Sequence, residues 1–224
     1  MTGYYAYHHG FSKIYHGKKQ SFQMKKDFAS MDQIIGKYTN HAFIISNLYC
    51  RSTYTKFDAS LNRLRRQCGG GGIMIWGMLM PNGLVAIRKM EGKQNSAKYI
   101  DILKNFAVPI MNLNYSHPYN FVQDNCSIHI SRETKNFFKS ENLQVLRWPA
   151  KSPDINLMEN IWKMISDIVY MDGQPQNKKI LEEKINEAVL RINSDKLQVT
   201  TGLYASFRTR LTQVLVSKGN IINT

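Results

Sequence analysis

Two stretches decide how this sequence folds: Phe121-Val122-Gln123-Asp124-Asn125 and Trp148-Pro149-Ala150-Lys151-Ser152-Pro153-Asp154-Ile155-Asn156-Leu157-Met158-Glu159-Asn160-Ile161-Trp162. The first reads as the end of a short apolar strand that closes on a carboxylate. The second reads as a proline-marked turn running into a helix that carries another carboxylate. Between Asp124 and Glu159 lie 34 residues, room for a loop, a helix, a strand and a turn, so both acids can return to one edge of a sheet. A carboxylate at the C-terminal end of a strand, facing another on a nearby helix, suits Mg²⁺ or Mn²⁺. Such hard ions take carboxylate and water oxygens and keep positions open for a substrate's phosphates.

Outward from these stretches the pattern alternates between strand and helix. His41 to Tyr49, with Phe43, Ile44 and Ile45 in a row, predicts a strand buried on both faces. Gly69-Gly70-Gly71-Gly72 leads into a strand over Ile73 to Met80, turned at Pro81-Asn82-Gly83, with Leu84 to Met90 as its hairpin partner. Asn95 or Ser96 caps a helix bearing Tyr99, Leu103, Phe106 and Ile110 at helical spacing, which Pro109 kinks or ends. Asn120 to Cys126 is the next strand, Ser131 caps a helix with Phe137 and Phe138, and Gln144 to Trp148 is the last strand. Helices over Asn156 to about Tyr170, Ile180 to Ile192 and Leu203 to Lys218 follow. The expected class is α/β: a mixed sheet, with an antiparallel hairpin plus parallel strands, flanked by helices and completed by C-terminal helices. Residues 1–40 form a poorly defined basic segment with one short helix around Phe22 to Ile35, and Cys50 to Arg66 is basic without a clear period.

The bulk numbers narrow the partners. With 224 residues and 43% hydrophobic content, one sizeable core can form. No run approaches the roughly 20 apolar residues that cross a bilayer, and Met1 to Gly10 lacks the charged and apolar regions of a secretory leader. A soluble intracellular protein with no membrane partner is therefore expected. Lys and Arg number 30 against 16 Asp and Glu, a net charge of +14, which calls for a polyanion, nucleic acid first among them. Arg63, Arg65 and Arg66 are the candidates for phosphate contacts. Cys50, Cys68 and Cys126 lack the spacing of a zinc or redox motif and read as free thiols.

Other residues have plainer readings. The four glycines are no phosphate loop, because no Gly-Lys-Ser/Thr follows them; close strand packing is their expected use. His129, five residues after Asp124, is expected to find a local hydrogen bond. Trp76, Trp148 and Trp162 are expected in the core.

The frames around the two acids are more specific than the acids themselves. Val122-Gln123-Asp124-Asn125-x-x-x-His129, Trp148-Pro149-x-x-Ser152-Pro153-Asp154-x-Asn156-x-x-Glu159-Asn160-x-Trp162 and Gly70-Gly71-Gly72-x-Met74-x-Trp76-Gly77 together resemble the catalytic domain of mariner-type transposases of the Asp-Asp-Glu superfamily. The resemblance spans about residues 41–224 and is firmest over 69–169. It implies an RNase H-like fold and cleavage of transposon-end DNA by water. Strand transfer by the freed 3′ hydroxyl would follow, using two Mg²⁺ (or Mn²⁺) ions and no small-molecule cofactor. Asp124 corresponds to the second catalytic aspartate and Glu159 to the final glutamate, both as metal ligands. Self-association as a homodimer on DNA and a nuclear location follow from the same resemblance.

Two departures stand out. The family's first aspartate ends its first strand, whereas here that frame puts Asn47 at the position and an alternative alignment puts Cys50 there. Neither is a carboxylate; Asp58, the next one downstream, has no matching surroundings. Family members also carry a helix-turn-helix region before the catalytic domain, and residues 1–40 are too short and unpatterned to supply it. The expectation is therefore an N-terminally truncated copy, with cleavage in question. The alternative is a catalytically defective nucleic-acid-binding relic.

Overall fold

The computed structural model describes residues 42–52, 55–58, 63–66, 72–114, 119–146 and 155–217, with the backbone alone at 42, 47–52, 55–58, 63–66 and 215. The expected segment 1–40, Trp148, Asp154, Cys68 and the first three glycines of the run lie outside these residues.

A five-stranded sheet holds the molecule together. Its strands are β1 (Ala42–Ser52), β4 (Gly72–Leu79), β5 (Val85–Met90), β6 (Tyr119–Val122) and β7 (Gln144–Val145), in the order β5-β4-β1-β6-β7. β4 pairs antiparallel with β1 and β5, whereas β6 runs parallel to both β1 and β7. The mixed sheet expected from sequence is thus present. The basic stretch after β1 adds a separate two-stranded ladder of β2 (Thr55–Asp58) and β3 (Arg63–Arg66), in which Asp58 pairs with Arg63. This ladder had no signal in the apolar pattern, since charged residues occupy five of its eight positions.

Strand alternation builds two cores. Phe43, Ile45, Ile73, Ile75, Leu79, Val85 and Val122 face one side, where they meet the helices α4 (Leu157–Val169), α5 (Lys178–Asp195) and α6 (Leu197–Val216). Ile44, Trp76, Met78, Ala86 and Phe121 face the other, where they meet the segment Ser96–Asn114 and α3 (Arg132–Ser140). Trp76 and Trp162 are buried as expected, at 0% and 1% exposure; each contributes on the order of 2–3 kcal/mol by removing apolar surface from water.

Of the two outcomes read from sequence at Pro109, a kink or an end, the helix after the hairpin does not take the second. Asn95 caps α1 (Ser96–Ile102) by accepting from Lys98 N, and the chain continues through a π-helical turn (Leu103–Ala107) into α2 (Val108–Asn114). Val108 N donates to Leu103 O, five residues back. This wider turn shifts the carbonyl that an α-helix would drive into the proline ring. The helix therefore passes Pro109 instead of ending there. Two strands are also shorter than expected. β6 stops at Val122 because Gln123 and Asp124 turn into a polar network, and β7 holds only Gln144 and Val145. α6, for its part, begins six residues before Leu203.

The β4–β5 turn anchors the C-terminal helices. Gly83 has φ +83°, and a Cβ there would lie 2.5 Å from Thr201 Oγ1 and 2.8 Å from Thr201 N on α6. On the sheet's edge strand, Val85 N donates to Asn193 Oδ1 and Asn193 Nδ2 donates to Val85 O, both at 2.9 Å. The amide of α5 thus completes the edge as a neighbouring strand would. Asn193→Ala removes both bonds from a partly buried pair, and a loss of about 1–3 kcal/mol is expected in urea unfolding. An unchanged midpoint would show that water substitutes fully for the amide.

Candidate metal centre

Asp124 lies two residues past the end of β6, at the carboxyl edge of the sheet, with its side chain 41% exposed. Its Oδ1 accepts from Cys126 N at 3.1 Å and meets His129 Nδ1 at 2.6 Å. His129 N and Ile130 N both donate to Cys126 O, so the loop is wound tightly round the carboxylate. Burial pushes the Asp124 carboxyl up, but the hydrogen bond and electrostatic attraction of the His129 ring, with the Cys126 N–H, outweigh it and leave the group below its ordinary range. The second oxygen, Oδ2, has no hydrogen bond among the described residues.

Glu159 comes from the other core. Asn156 caps α4 by accepting from Met158 N, and the apolar stripe Leu157, Met158, Ile161, Trp162, Ile165 and Val169 presses the helix onto the sheet. Glu159 sits in the first turn, beside this stripe and only partly exposed. Burial raises its carboxyl, and the charge of Asp124 raises it further. The two acids are thus near enough to feel one another across the sheet edge.

The sheet register decides where residue 47 stands. β1 and β6 pair Ile45 with Val122, the last pair of their ladder; residue 47 comes two residues after it on β1, as Asp124 comes two residues after it past β6. β1 and β4 pair Asn47 with Gly77 and Cys50 with Met74. Gly77 faces α4, since a Cβ there would lie 2.5 Å from Trp162 Cη2 and 3.1 Å from Met158 Cε, whereas Met74 packs on the opposite core. Directly paired residues share a face. Of the two alternatives for the missing acid, position 47 falls on the face of Glu159 and position 50 on the other face. Arg63, Arg65 and Arg66 lie on β3 of the separate ladder.

The local hydrogen bond expected of His129 is the one to Asp124, but sequence reading missed Tyr99 and Gln123 beneath it. Tyr99 OH donates to Gln123 Oε1 at 2.6 Å, Gln123 Nε2 donates to His129 O at 3.0 Å, and the Tyr99 and His129 rings lie 4.2 Å apart. Tyr99, Gln123 and His129 are all buried, and burial pushes the Tyr99 phenol far up. The available signal was a glutamine directly after the buried run Tyr119 to Val122.

The donor set fits a hard divalent cation in kind, with two carboxylates whose fields add and one free oxygen on Asp124. It falls short in charge, because no group of three or more His, Cys, Asp or Glu that could hold a metal occurs among the described residues.

Known proteins bear on this geometry. The family model described as DDE superfamily endonuclease matches residues 47–182, more than half of the sequence. The chain belongs to the DDE superfamily of endonucleases. Among curated relatives, the transposable element Tc3 transposase of Caenorhabditis elegans is 33% identical over 164 residues, covering 71% of this chain and 48% of that protein. This DDE domain therefore spans about half the length of the curated relatives it matches. Its fold is that of the catalytic domain of Mos1 mariner transposase, with a TM-score of 0.71 at 13% identity over 93% of this chain and 98% of that one. The mariner Mos1 paired-end complex with Mg aligns with a TM-score of 0.73 at 16% identity, over 90% of this chain and 64% of that one. The RNase H-like, mariner-type transposase catalytic domain implied by the sequence motifs is thus borne out. No helix among the described residues is long and apolar enough to cross a membrane.

Proposed function

We propose that this chain is the catalytic domain of a DNA transposase in which Asp124 and Glu159 hold divalent metal for strand cleavage and transfer, with Asn47 at the first ligand position. One observation carries the reading. The charge of Asp124, at a strand end, adds to the burial that already disfavours the ionised Glu159 carboxylate on its helix, a cost that a cation relieves. A pair of Mg²⁺ ions bound there would activate the attacking oxygen and stabilise the leaving one. The chain's own part is to fix Asp124 through the His129 and Cys126 bonds and to present Glu159 from a firmly packed helix. Its net charge of +14 supports DNA as the partner, held through backbone phosphates. The Mos1 transposase paired-end complex with the left transposon end also supports DNA as the partner, and a homodimer acting in the nucleus completes the proposal.

Asn47 favours a second reading, a nucleic-acid-binding protein that no longer cleaves. An amide keeps one oxygen ligand but loses a charge, which weakens a hard-ion site. Incubating the purified chain with supercoiled DNA in Mg²⁺ or Mn²⁺ separates the two. Nicking that Glu159→Gln abolishes is the expected result. Binding without nicking in either metal, indifferent to EDTA and with log affinity falling linearly in log salt, would establish the second reading instead.

A further inference from the structure

Resting on the metal-site reading above, we propose that His129 is the positioning residue of Asp124: its Nδ1–H commits Oδ1 to the protein and so turns Oδ2 toward the cation. The geometry leaves little freedom. The ring is 0% exposed and its Nδ1 stands 2.6 Å from Oδ1, the shortest contact that Asp124 makes. Nε2 is buried with no hydrogen-bond partner, so a proton there would be stranded, and the hydrogen-bond network assigns the ring proton to Nδ1. The ring cannot swing away, because Tyr99 lies against it at 4.2 Å and Gln123 ties the backbone carbonyl of residue 129 to the Tyr99 hydroxyl.

The loop supplies the rest of the constraint. Cys126 N donates to the same oxygen, Oδ1. A carboxylate that receives both of its protein hydrogen bonds on one oxygen has a fixed plane, and its other oxygen points in one direction. Groups that hydrogen-bond a metal ligand typically change metal affinity 10–100-fold when removed. The Tyr99-Gln123-His129 chain rests on Tyr99 in the core on the other side of the sheet from α4, which gives the site a support independent of the helix that carries Glu159. His129 touches neither DNA nor the ion in this scheme and acts only through Asp124.

Two measurements on the full chain decide the matter. In the metal-free protein, long-range ¹H–¹⁵N spectra of the His129 ring should show the proton on Nδ1 and slow exchange with water; a proton on Nε2, or a freely exchanging ring, overturns the proposal. Mn²⁺ titrated into His129→Leu should bind about 10–100-fold more weakly than to the parent. Asn presents an N–H near the position of Nδ1, so His129→Asn should stay within about threefold of the parent, with melting temperatures in EDTA confirming that both variants fold. Equal losses in both variants, or no loss in either, overturn the positioning role. A parent that binds no Mn²⁺ defeats the metal-site reading alone, and the ring spectra then still decide whether His129 fixes Asp124.

Discussion

Asn47→Asp is expected to raise Mn²⁺ affinity by on the order of 100-fold and, with it, DNA nicking, while lowering the melting temperature of the metal-free protein. A unit charge about 4 Å from a cation contributes roughly 4 kcal/mol at the effective dielectric of a protein edge, and repulsion from the two acids already present offsets part of that. The same repulsion acts alone when no ion is bound. Position 47 comes two residues after the last β1–β6 pair, as Asp124 does, and pairs with Gly77 on the face of α4, so on the proposed reading the new carboxylate completes a three-acid set. Cys50→Asp is the control. Its position is three residues further along β1, about 10 Å at 3.3 Å per residue, and pairs with Met74 of the opposite core. Calorimetric titration with Mn²⁺ and a plasmid nicking assay give the result. Equal gains from both substitutions, or none from Asn47→Asp, would remove residue 47 from the site.

Gly77→Ala is expected to cost about 3 kcal/mol or more in stability and to weaken metal binding at a distance. The added methyl would stand 2.5 Å from Trp162 Cη2 and 3.1 Å from Met158 Cε, and Trp162, 1% exposed, has no room to retreat. Overpacking of this kind is relieved by shifting a whole element. The element here is the first turn of α4, which carries Glu159 between Met158 and Trp162. Urea unfolding and Mn²⁺ titration of Gly77→Ala, Trp162→Phe and the double variant form a cycle. The smaller ring should restore much of both losses in the double variant. Additive losses would mean that the glycine serves the strand backbone and not the approach of the helix.

Much of the fold was legible because its signals are local. Asn95, Ser131 and Asn156 cap their helices as their side chains dictate, and Pro81-Asn82-Gly83 turns the hairpin between two apolar strands. The misreadings lie where tertiary contacts outweigh local preference. Pro109 is carried through a π turn, and β6 stops early because Gln123 is held by Tyr99, 24 residues away. Asp124 and Glu159 were readable from their frames; the buried supports beneath them were not, because Tyr99 shows only helical spacing in the chain.

The sequence by itself determined the family and the α/β alternation and singled out the two acids as candidates, since motif spacing, capping residues and apolar period are properties of neighbouring residues. It left the first ligand position open between Asn47 and Cys50. Only the tertiary structure put positions 47 and 50 on opposite faces of the sheet, because that placement depends on the register of β1 against both β4 and β6. A shift of one residue in a strand exchanges its faces, and nothing within β1 fixes that register; the hydrogen bonds to its two neighbours do.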